Sequence, residues 1–203
     1  MRLSRLVLVV GLAAGSAPAP VSAQTQEDTP VWRIDRTHSE LTFRIRHLVS
    51  RVSGGFADWG GTLVVDPANL ADGSVEVTIH TASITTQNER RDADLRSERF
   101  FDVARFPTIT FKSTSIDMKG SDIQVYGNLT IRDVTRPVVL VGEYIGRTGV
   151  GTQERLGFEA SIKLDRMDYG VTWNRVAEGG GTLLGDEVTI SIAIAAVRVP
   201  AGP

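Results

Sequence analysis

The sequence predicts an all-β domain, an antiparallel sandwich or closed barrel of about eight strands. Apolar and polar residues alternate along most of the chain, which gives each predicted strand one apolar face. Clusters of Gly, Pro, Asn and Asp separate these segments, so most strands follow one another as hairpins. The clear exception is residues 86–107, which are densely charged and have the pattern of a surface helix.

Residues 1–23 are predicted to form a signal peptide. Two arginines precede an apolar run at residues 6–14, which is shorter than the roughly 20 residues of a membrane span. The small residues that end at Ala23 are those that a signal peptidase reads, so cleavage is predicted after this position. We therefore expect an exported, periplasmic protein whose mature part, residues 24–203, is a single domain. The alternative is an N-terminal anchor that stays uncleaved.

The composition excludes several kinds of site and partner. The chain contains no cysteine, so disulfides and thiolate metal sites are impossible. Beyond residue 23 it carries 20 basic and 24 acidic residues, a net charge of −4 with neutral histidines. A mildly acidic protein is not expected to have nucleic acid or an anionic membrane as its main partner.

The predicted strands follow one another in order along the chain. Alternation is clearest at residues 41–47, 75–80, 108–112, 122–131, 158–164 and 188–195, and residues 61–65 and 138–144 complete the set. The apolar face is rich in Ile, Val and Leu, and its small residues Gly127 and Ala160 would leave space between larger side chains. An eight-stranded barrel is just wide enough to be filled by its side chains or to hold one slim ligand. The pattern is therefore compatible with a packed core and with an open cavity.

The segment that departs from the alternation is predicted to be a charged helix followed by an aromatic lip. Thr86 and Glu89 have the spacing of a capping box, and oppositely charged residues four apart then give a solvent-facing side. The segment ends with Phe100, Phe101 and a Phe106-Pro step that returns the chain to an extended conformation. We expect this helix and lip to lie beside the mouth of a ligand-holding barrel.

The sequence offers no convincing catalytic, metal or cofactor site. Its three histidines lack the close helical spacing of a zinc pair. His80 falls on a polar face and His38 in a turn, whereas His47 is in phase with the apolar residues of its strand. There is no Gly-x-Ser-x-Gly elbow, and the triple glycine at residues 179–181 lacks the lysine of a phosphate loop. We therefore predict a binding protein rather than an enzyme, with no resident cofactor.

A set of short motifs extends over almost the whole predicted domain. In order they are Trp32 to Asp35, His38-Ser39, Phe43 to His47, Gly55-Phe56, Gly61, Thr86, Asn88, Arg91-Asp92, Leu95, Ser97, Phe100 to Asp102, Phe106-Pro107, Phe111, Gly127 to Ile131, Thr135 to Pro137, Gly157 to Ala160, Asp168 to Gly170 and Gly185 to Val188. By these residues the chain resembles the YceI-like family of exported lipid- and polyisoprenoid-binding proteins over residues 32–197. One departure is Asp94, at a position where many relatives carry a histidine. The negative charge of Asp94 does not favour a pyrophosphate head group.

The resemblance implies an extended, lipocalin-like barrel of eight antiparallel strands, with one short helix in the connection after the third strand. Its tubular cavity would take a long isoprenoid chain, such as an isoprenoid quinone or a polyprenyl phosphate. With strand phase as the guide, the expected lumen residues are Phe43, Ile45, His47, Ile79, Phe111, Leu129, Phe158, Ala160 and Ile162. The expected mouth and head-group residues are Asn88, Arg91, Asp92, Phe100, Phe101 and Phe106.

The predicted function is that of a periplasmic, non-enzymatic carrier that holds such a lipid in a hydrophobic tunnel. Two alternatives stay open. The first is an enzyme that acts on the lipid, with His47 and Tyr169 as proton-transfer groups. The second is a β scaffold that docks a membrane partner, such as a cytochrome, through the lip at residues 100–106. The oligomeric state is not decided by the sequence, which allows a homodimer.

Overall fold

The computed structural model describes residues 29–176 and 180–200, so the predicted signal peptide lies outside the described residues. Within them the chain forms one α-helix, α1 (Glu89–Arg96), and eleven strand segments. In chain order the segments are β1 (Val31–Ile34), β2 (Glu40–His47), β3 (Ser50–Phe56), β4 (Trp59–Asp66), β5 (Asn69–His80), β6 (Ile84–Thr85), β7 (Thr108–Lys119), β8 (Asp122–Ile131), β9 (Val134–Thr148), β10 (Arg155–Asp165) and β11 (Leu184–Arg198). In this part of the chain, no helix is both long enough and apolar enough to cross a membrane.

The eleven segments build a closed antiparallel barrel of eight strands. β1 and β2 lie end to end along β11, and together they form the first barrel strand. The second barrel strand is β3 with β4, because β3 pairs with β2 and β4 pairs with β1. The third barrel strand is β5 with β6, because β5 pairs with β4 and β6 pairs with β3. Pairing of β1 with both β4 and β11 closes the ring. The predicted barrel is confirmed, and α1 follows the third barrel strand as expected.

Short breaks in the first three barrel strands lie side by side and are linked by hydrogen bonds. In the first break, Asp35 caps a turn of 3-10 helix. Arg36 in that turn donates to the carbonyl of Trp59, just after the second break, at 3.2 Å. In the second break, the backbone N–H of Ala57 donates to the Ser83 carbonyl in the third, at 2.9 Å. The strands can therefore bend here without leaving these backbone groups unpaired.

The two ends of the barrel differ in how tightly they are packed. At the end opposite α1, Trp32, Leu156 and Ala196 are completely buried. The indole N–H of Trp32 donates to the carbonyl of Val65 at 2.9 Å, so the polar atom of this large ring is satisfied. Toward α1, inward-facing residues such as Ile190 keep partial exposure. We call the first region the packed end, because it anchors the barrel while the other end stays open.

α1 begins at a different cap from the one that the sequence predicts. Asn88, not Thr86, is the N-cap, and its side chain accepts a hydrogen bond from the backbone N–H of Arg91 at 3.0 Å. Thr86 is used differently: its backbone N–H donates to Asp92 at 2.8 Å, and its hydroxyl bonds to the same carboxylate oxygen. Asp92 is thereby buried and does not contribute to a solvent-facing charged side.

The ion pairs predicted along α1, with partners four residues apart, do not form among the described residues. Arg96 instead donates to the carbonyls of Ala82 at 2.7 Å and Ile84 at 2.8 Å. Asp94 pairs with Arg99, beyond the helix, at 3.1 Å. The reason is that β6 lies at an edge of its sheet and leaves carbonyls unpaired, which a guanidinium can satisfy. The helix therefore docks on the barrel wall.

Candidate functional site

An apolar cavity of about 410 Å³ lies inside the barrel. Its lining extends from Val65 and Ile123, near the packed end, to His47 and Leu184, near α1. All nine predicted lumen residues are in its wall: Phe43, Ile45, His47, Ile79, Phe111, Leu129, Phe158, Ala160 and Ile162. The volume is within the roughly 300–1,000 Å³ that small-molecule sites occupy. The positions are as expected, and lipid contact by these residues stays a prediction.

Gly127 does not leave open space in the lumen, contrary to the expectation from sequence. The ring of Phe111 fills that place, because its Cζ lies 2.5 Å from where a Cβ on residue 127 would stand. Phe43 is related to Gly54 in the same way, at 2.6 Å. Each glycine thus lets an aromatic ring lie against the backbone of the wall, a packing that a larger residue would prevent. Ala160, the other small residue, lines the cavity as predicted.

The cavity wall near α1 is apolar but only partly covered by protein. Phe43, Ile45 and Ile162 line the cavity and keep intermediate exposure. Ile79 and Leu129, which also line it, are buried. Since large aliphatic side chains on an inner face are normally covered, this uncovered surface marks space that an apolar guest could fill.

The mouth, the end of the cavity bordered by α1, contains a fixed positive charge. Arg91, Asp94 and Leu95 of the helix all line the cavity. The guanidinium of Arg91 donates from Nε to the Thr86 hydroxyl at 2.7 Å and from Nη2 to the Thr86 carbonyl at 3.0 Å. These two bonds hold the planar guanidinium in one orientation, whereas Asp94 is already paired with Arg99.

Asp92 supports this arrangement from behind the wall. Burial by itself would raise the pKa of Asp92, but hydrogen bonds from the Thr86 side chain and backbone outweigh it and hold the pKa below the ordinary value. The carboxylate therefore stays ionised, fixes Thr86, and through Thr86 positions Arg91. Asp92 does not line the cavity itself, and its bonds to Thr86 make it a positioning residue for Arg91. Its contact with a head group stays a prediction.

The other predicted mouth residues divide into two groups. Phe100 and Phe101 line the cavity: Phe100 packs on Trp173 with ring centroids 5.1 Å apart, and Phe101 meets Phe56 edge-on at 6.0 Å. Asn88, the helix cap, and Phe106 do not line it. The guanidinium groups of Arg105 and Arg132 lie 5.0 and 5.5 Å from the centre of the Phe106 ring. Phe106 thus belongs to the outer surface of the lip.

The proton-transfer groups of the enzyme hypothesis are not linked to each other. His47 and Tyr169 both line the cavity, but in the described residues neither side chain makes a hydrogen bond. Burial raises the pKa of Tyr169 and so disfavours its phenolate. The phenolate is the form in which Tyr169 could act as a base. Over the described ranges, no three His, Asp or Glu side chains come together to hold a metal ion.

Comparison with known proteins agrees with this architecture. The model of the YceI-like domain matches residues 32–196. The chain belongs to the YceI-like family. Protein YceI of Salmonella arizonae is 39% identical to it over 145 residues, which are 70% of this chain and 76% of that protein.

Two solved structures extend the comparison to the fold of this YceI-like domain. The Campylobacter jejuni YceI protein superposes with a TM-score of 0.66 at 29% identity, over 76% of this chain and 90% of that one. A polyisoprenoid-binding domain from Saccharophagus degradans gives a TM-score of 0.61 at 13% identity, over 83% of this chain and 98% of that one. At such low identity the second likeness shows the fold alone.

Sequence reasoning missed some residues of the YceI-like site. Leu95 lines the mouth. It is the one large apolar residue of α1, and this could have indicated from the sequence that it faces the barrel. Arg166 is buried beside the cavity, pairs with Asp186 at 3.1 Å and donates to the Trp173 carbonyl at 2.9 Å. Arg166 fixes the connection between β10 and β11 by donating to backbone carbonyls. Such acceptors cannot be predicted from residue types.

Proposed function

We propose that the protein binds one long apolar chain of the isoprenoid class in the barrel cavity and carries it, unaltered, through the periplasm. The observation that carries the proposal is the apolar cavity, whose wall near α1 is left partly uncovered by protein. The shared fold with a polyisoprenoid-binding domain supports the choice of ligand class. The predicted leader at residues 1–23 supports the compartment.

The energetics favour long chains over short ones. Burial of hydrocarbon contributes about 0.8 kcal/mol per CH₂, whereas association costs roughly 4–15 kcal/mol in lost translational and rotational freedom. About ten buried carbons therefore only offset that cost, and several isoprene units leave a useful surplus. Such a cavity selects by chain length and needs few polar contacts.

The head group is proposed to lie at the mouth beside Arg91. Thr86 accepts hydrogen bonds from Nε and Nη2 of this guanidinium, so Nη1 of Arg91 would be available to a ligand oxygen. An anionic or carbonyl oxygen would suit that donor. Asp94 pairs with Arg99 but still places a partly exposed carboxylate in the lining of the mouth. This carboxylate disfavours a highly charged head, so a quinone or a monophosphate fits better than a pyrophosphate.

The test is to identify what the protein retains when it is purified gently from the periplasm. Organic extraction and mass spectrometry should recover an isoprenoid lipid in near-stoichiometric amount, and stripped protein should take up a supplied polyprenyl alcohol. Protein that holds no lipid and does not retain the supplied polyprenyl alcohol would contradict the proposal. A chemically changed lipid after incubation would favour the enzyme hypothesis instead.

A further inference from the structure

The mouth end of the barrel carries exposed apolar side chains that lipid binding in the cavity does not use. Leu48 and Val49 form the turn between β2 and β3; Leu48 is 42% exposed and Val49 is fully exposed. Val176, in the connection between β10 and β11, is 80% exposed. We call these three residues the apolar tip.

Backbone hydrogen bonds connect the segments that carry the apolar tip. The backbone N–H of Leu48 donates to the Leu183 carbonyl at 2.9 Å, and the N–H of Leu183 donates to the Arg175 carbonyl at 2.8 Å. Val176 follows directly and pairs with Thr182 in a β-bridge. Three stretches of backbone therefore lie side by side at the mouth: the outer two carry Leu48 with Val49 and Val176, and residues 182–183 lie between them.

The turn at the tip consists of residues that do not favour its backbone conformation. Leu48 has a φ of +53°, in the left-handed region where a residue with a Cβ is disfavoured by roughly 1–2 kcal/mol. Two-residue turns between strands favour Gly at a first position with positive φ, and polar residues beside it. The chain has two large apolar residues there, in water, where Gly-Ser would fold more easily.

The surroundings of the tip are cationic. Arg46 and Arg51 stand directly opposite each other on β2 and β3, and both are exposed, as is Arg175. Within the described ranges, none of these three is part of an ion pair, and Asp186, close by in the fold, is already paired with Arg166. Like charges directly opposite on a sheet are destabilising, and an anionic partner outside the protein would relieve this repulsion.

We propose that the apolar tip docks on a bilayer that contains anionic phospholipid. Leu48, Val49 and Val176 enter the boundary between head groups and acyl chains, while the arginines contact phosphates. Three side chains are too few for a stable protein interface, which needs on the order of 1,000 Å², but they suffice for an interfacial anchor assisted by charge. The net charge of the whole chain is negative, so the attraction is local to this surface.

Docking in this orientation would bring the mouth of the cavity to the membrane surface. It does not depend on the identity of the guest, and it can be tested without one. The experiment is co-sedimentation of purified protein with vesicles of phosphatidylcholine, with or without phosphatidylglycerol, neither of which contains an isoprenoid. Binding to the anionic vesicles should exceed binding to neutral ones, and salt should weaken it.

Two variants and a control separate docking from folding. Leu48→Gly with Val49→Ser should abolish most vesicle binding without lowering the melting temperature, because these residues suit the turn. Arg46→Gln with Arg51→Gln should weaken binding to the anionic vesicles by roughly fivefold per arginine. Val150→Ser removes another highly exposed valine, near the packed end, and should change nothing. Equal binding to both kinds of vesicle, or full binding by the turn variant, would overturn the proposal.

The outcome is independent of the carrier function. Both variants should still retain a supplied polyprenyl alcohol, since none of the changed residues lines the cavity. Loss of vesicle binding with lipid retention intact is the expected result. Vesicle binding by a protein that retains no lipid would support docking while contradicting the proposed function.

Discussion

The ring of Phe111 lies where a side chain on residue 127 would stand, with its Cζ 2.5 Å from the position of that Cβ. The two residues belong to β7 and β8, which pair along the barrel wall. Phe111 also lines the cavity, so the absence of a side chain at residue 127 helps to set where this ring ends and the channel begins.

Replacing Gly127 with Ala should narrow the channel. The new methyl group would overlap both the Phe111 ring and the Lys112 carbonyl, which lies 2.6 Å from the Cβ position. Movement of the ring and the strand is expected to cost about 1–3 kcal/mol in the free energy of unfolding and to weaken the binding of a long polyprenyl alcohol. Gly60→Ala is the matched control, because a Cβ there meets nothing within 4 Å. Melting curves and a titration with the alcohol measure both effects; equal results for the two variants would show that the ring does not define the channel.

Replacing Ala160 with Phe should block the channel part-way along. Ala160 lines the cavity, whereas its neighbour Ser161 is exposed on the outer face. The variant is expected to bind short prenyl alcohols and to reject long ones, with folding preserved. Ser161→Phe adds the same ring outside the barrel and should leave chain-length preference unchanged. Long-chain affinity that survives Ala160→Phe would place the guest elsewhere.

Replacing Arg91 with Gln should weaken binding of a charged head group more than binding of the apolar chain. Loss of the guanidinium is expected to weaken binding of a polyprenyl monophosphate by about tenfold or more, the range of one charge-assisted hydrogen bond. Binding of the uncharged alcohol with the same tail should hardly change. Arg90→Gln, at an exposed neighbouring position, serves as the control. An equal loss for both ligands would indicate a structural role for Arg91 instead.

Acid should destabilise the barrel through Glu154 near the packed end. Hydrogen bonds from Arg147 and Arg198 hold the pKa of this buried carboxyl below its ordinary value of 4.5. A group with a lower pKa in the folded state stabilises that state above the unfolded pKa, and this contribution is lost as the pH falls through the folded pKa.

Unfolding by urea, followed from neutral pH to below about pH 4.5, measures this effect. Glu154→Gln should be less stable at neutral pH and should show a shallower decline in acid. Some decline should remain, because hydrogen bonds from His38 and Arg155 also lower the pKa of Asp35. Glu143→Gln removes an exposed carboxylate and should behave like the wild type. An unchanged acid slope in Glu154→Gln would show that this group does not control the transition.

Strand phase was enough to predict which residues line the cavity, because inward-facing and outward-facing residues alternate along a strand. Barrel closure could not be read from the alternation, since a sandwich has the same pattern; it rests on the pairing of β1 with both β4 and β11. The motif resemblance supplied that part of the expectation.

Charge patterns were less informative than apolar ones. Arg96 and Asp92 were expected in ion pairs on a solvent-facing side. Instead Arg96 bonds to carbonyls in and just before β6, and Asp92 bonds to Thr86. Such partners depend on where the helix docks, and spacing along α1 does not contain that information. The same holds for Arg166, whose backbone acceptors include Trp173, in the connection that follows it, and Gly185 at the start of β11.

The partly uncovered wall around Phe43 and Ile45 has a consequence for how the protein matures. Any guest that covers this surface binds the native chain and not the unfolded one, so occupancy raises the melting temperature by mass action. Newly folded, vacant molecules would therefore be the form most open to proteolysis and self-association. For the proposed lipid guest, supply would then influence how much folded protein survives.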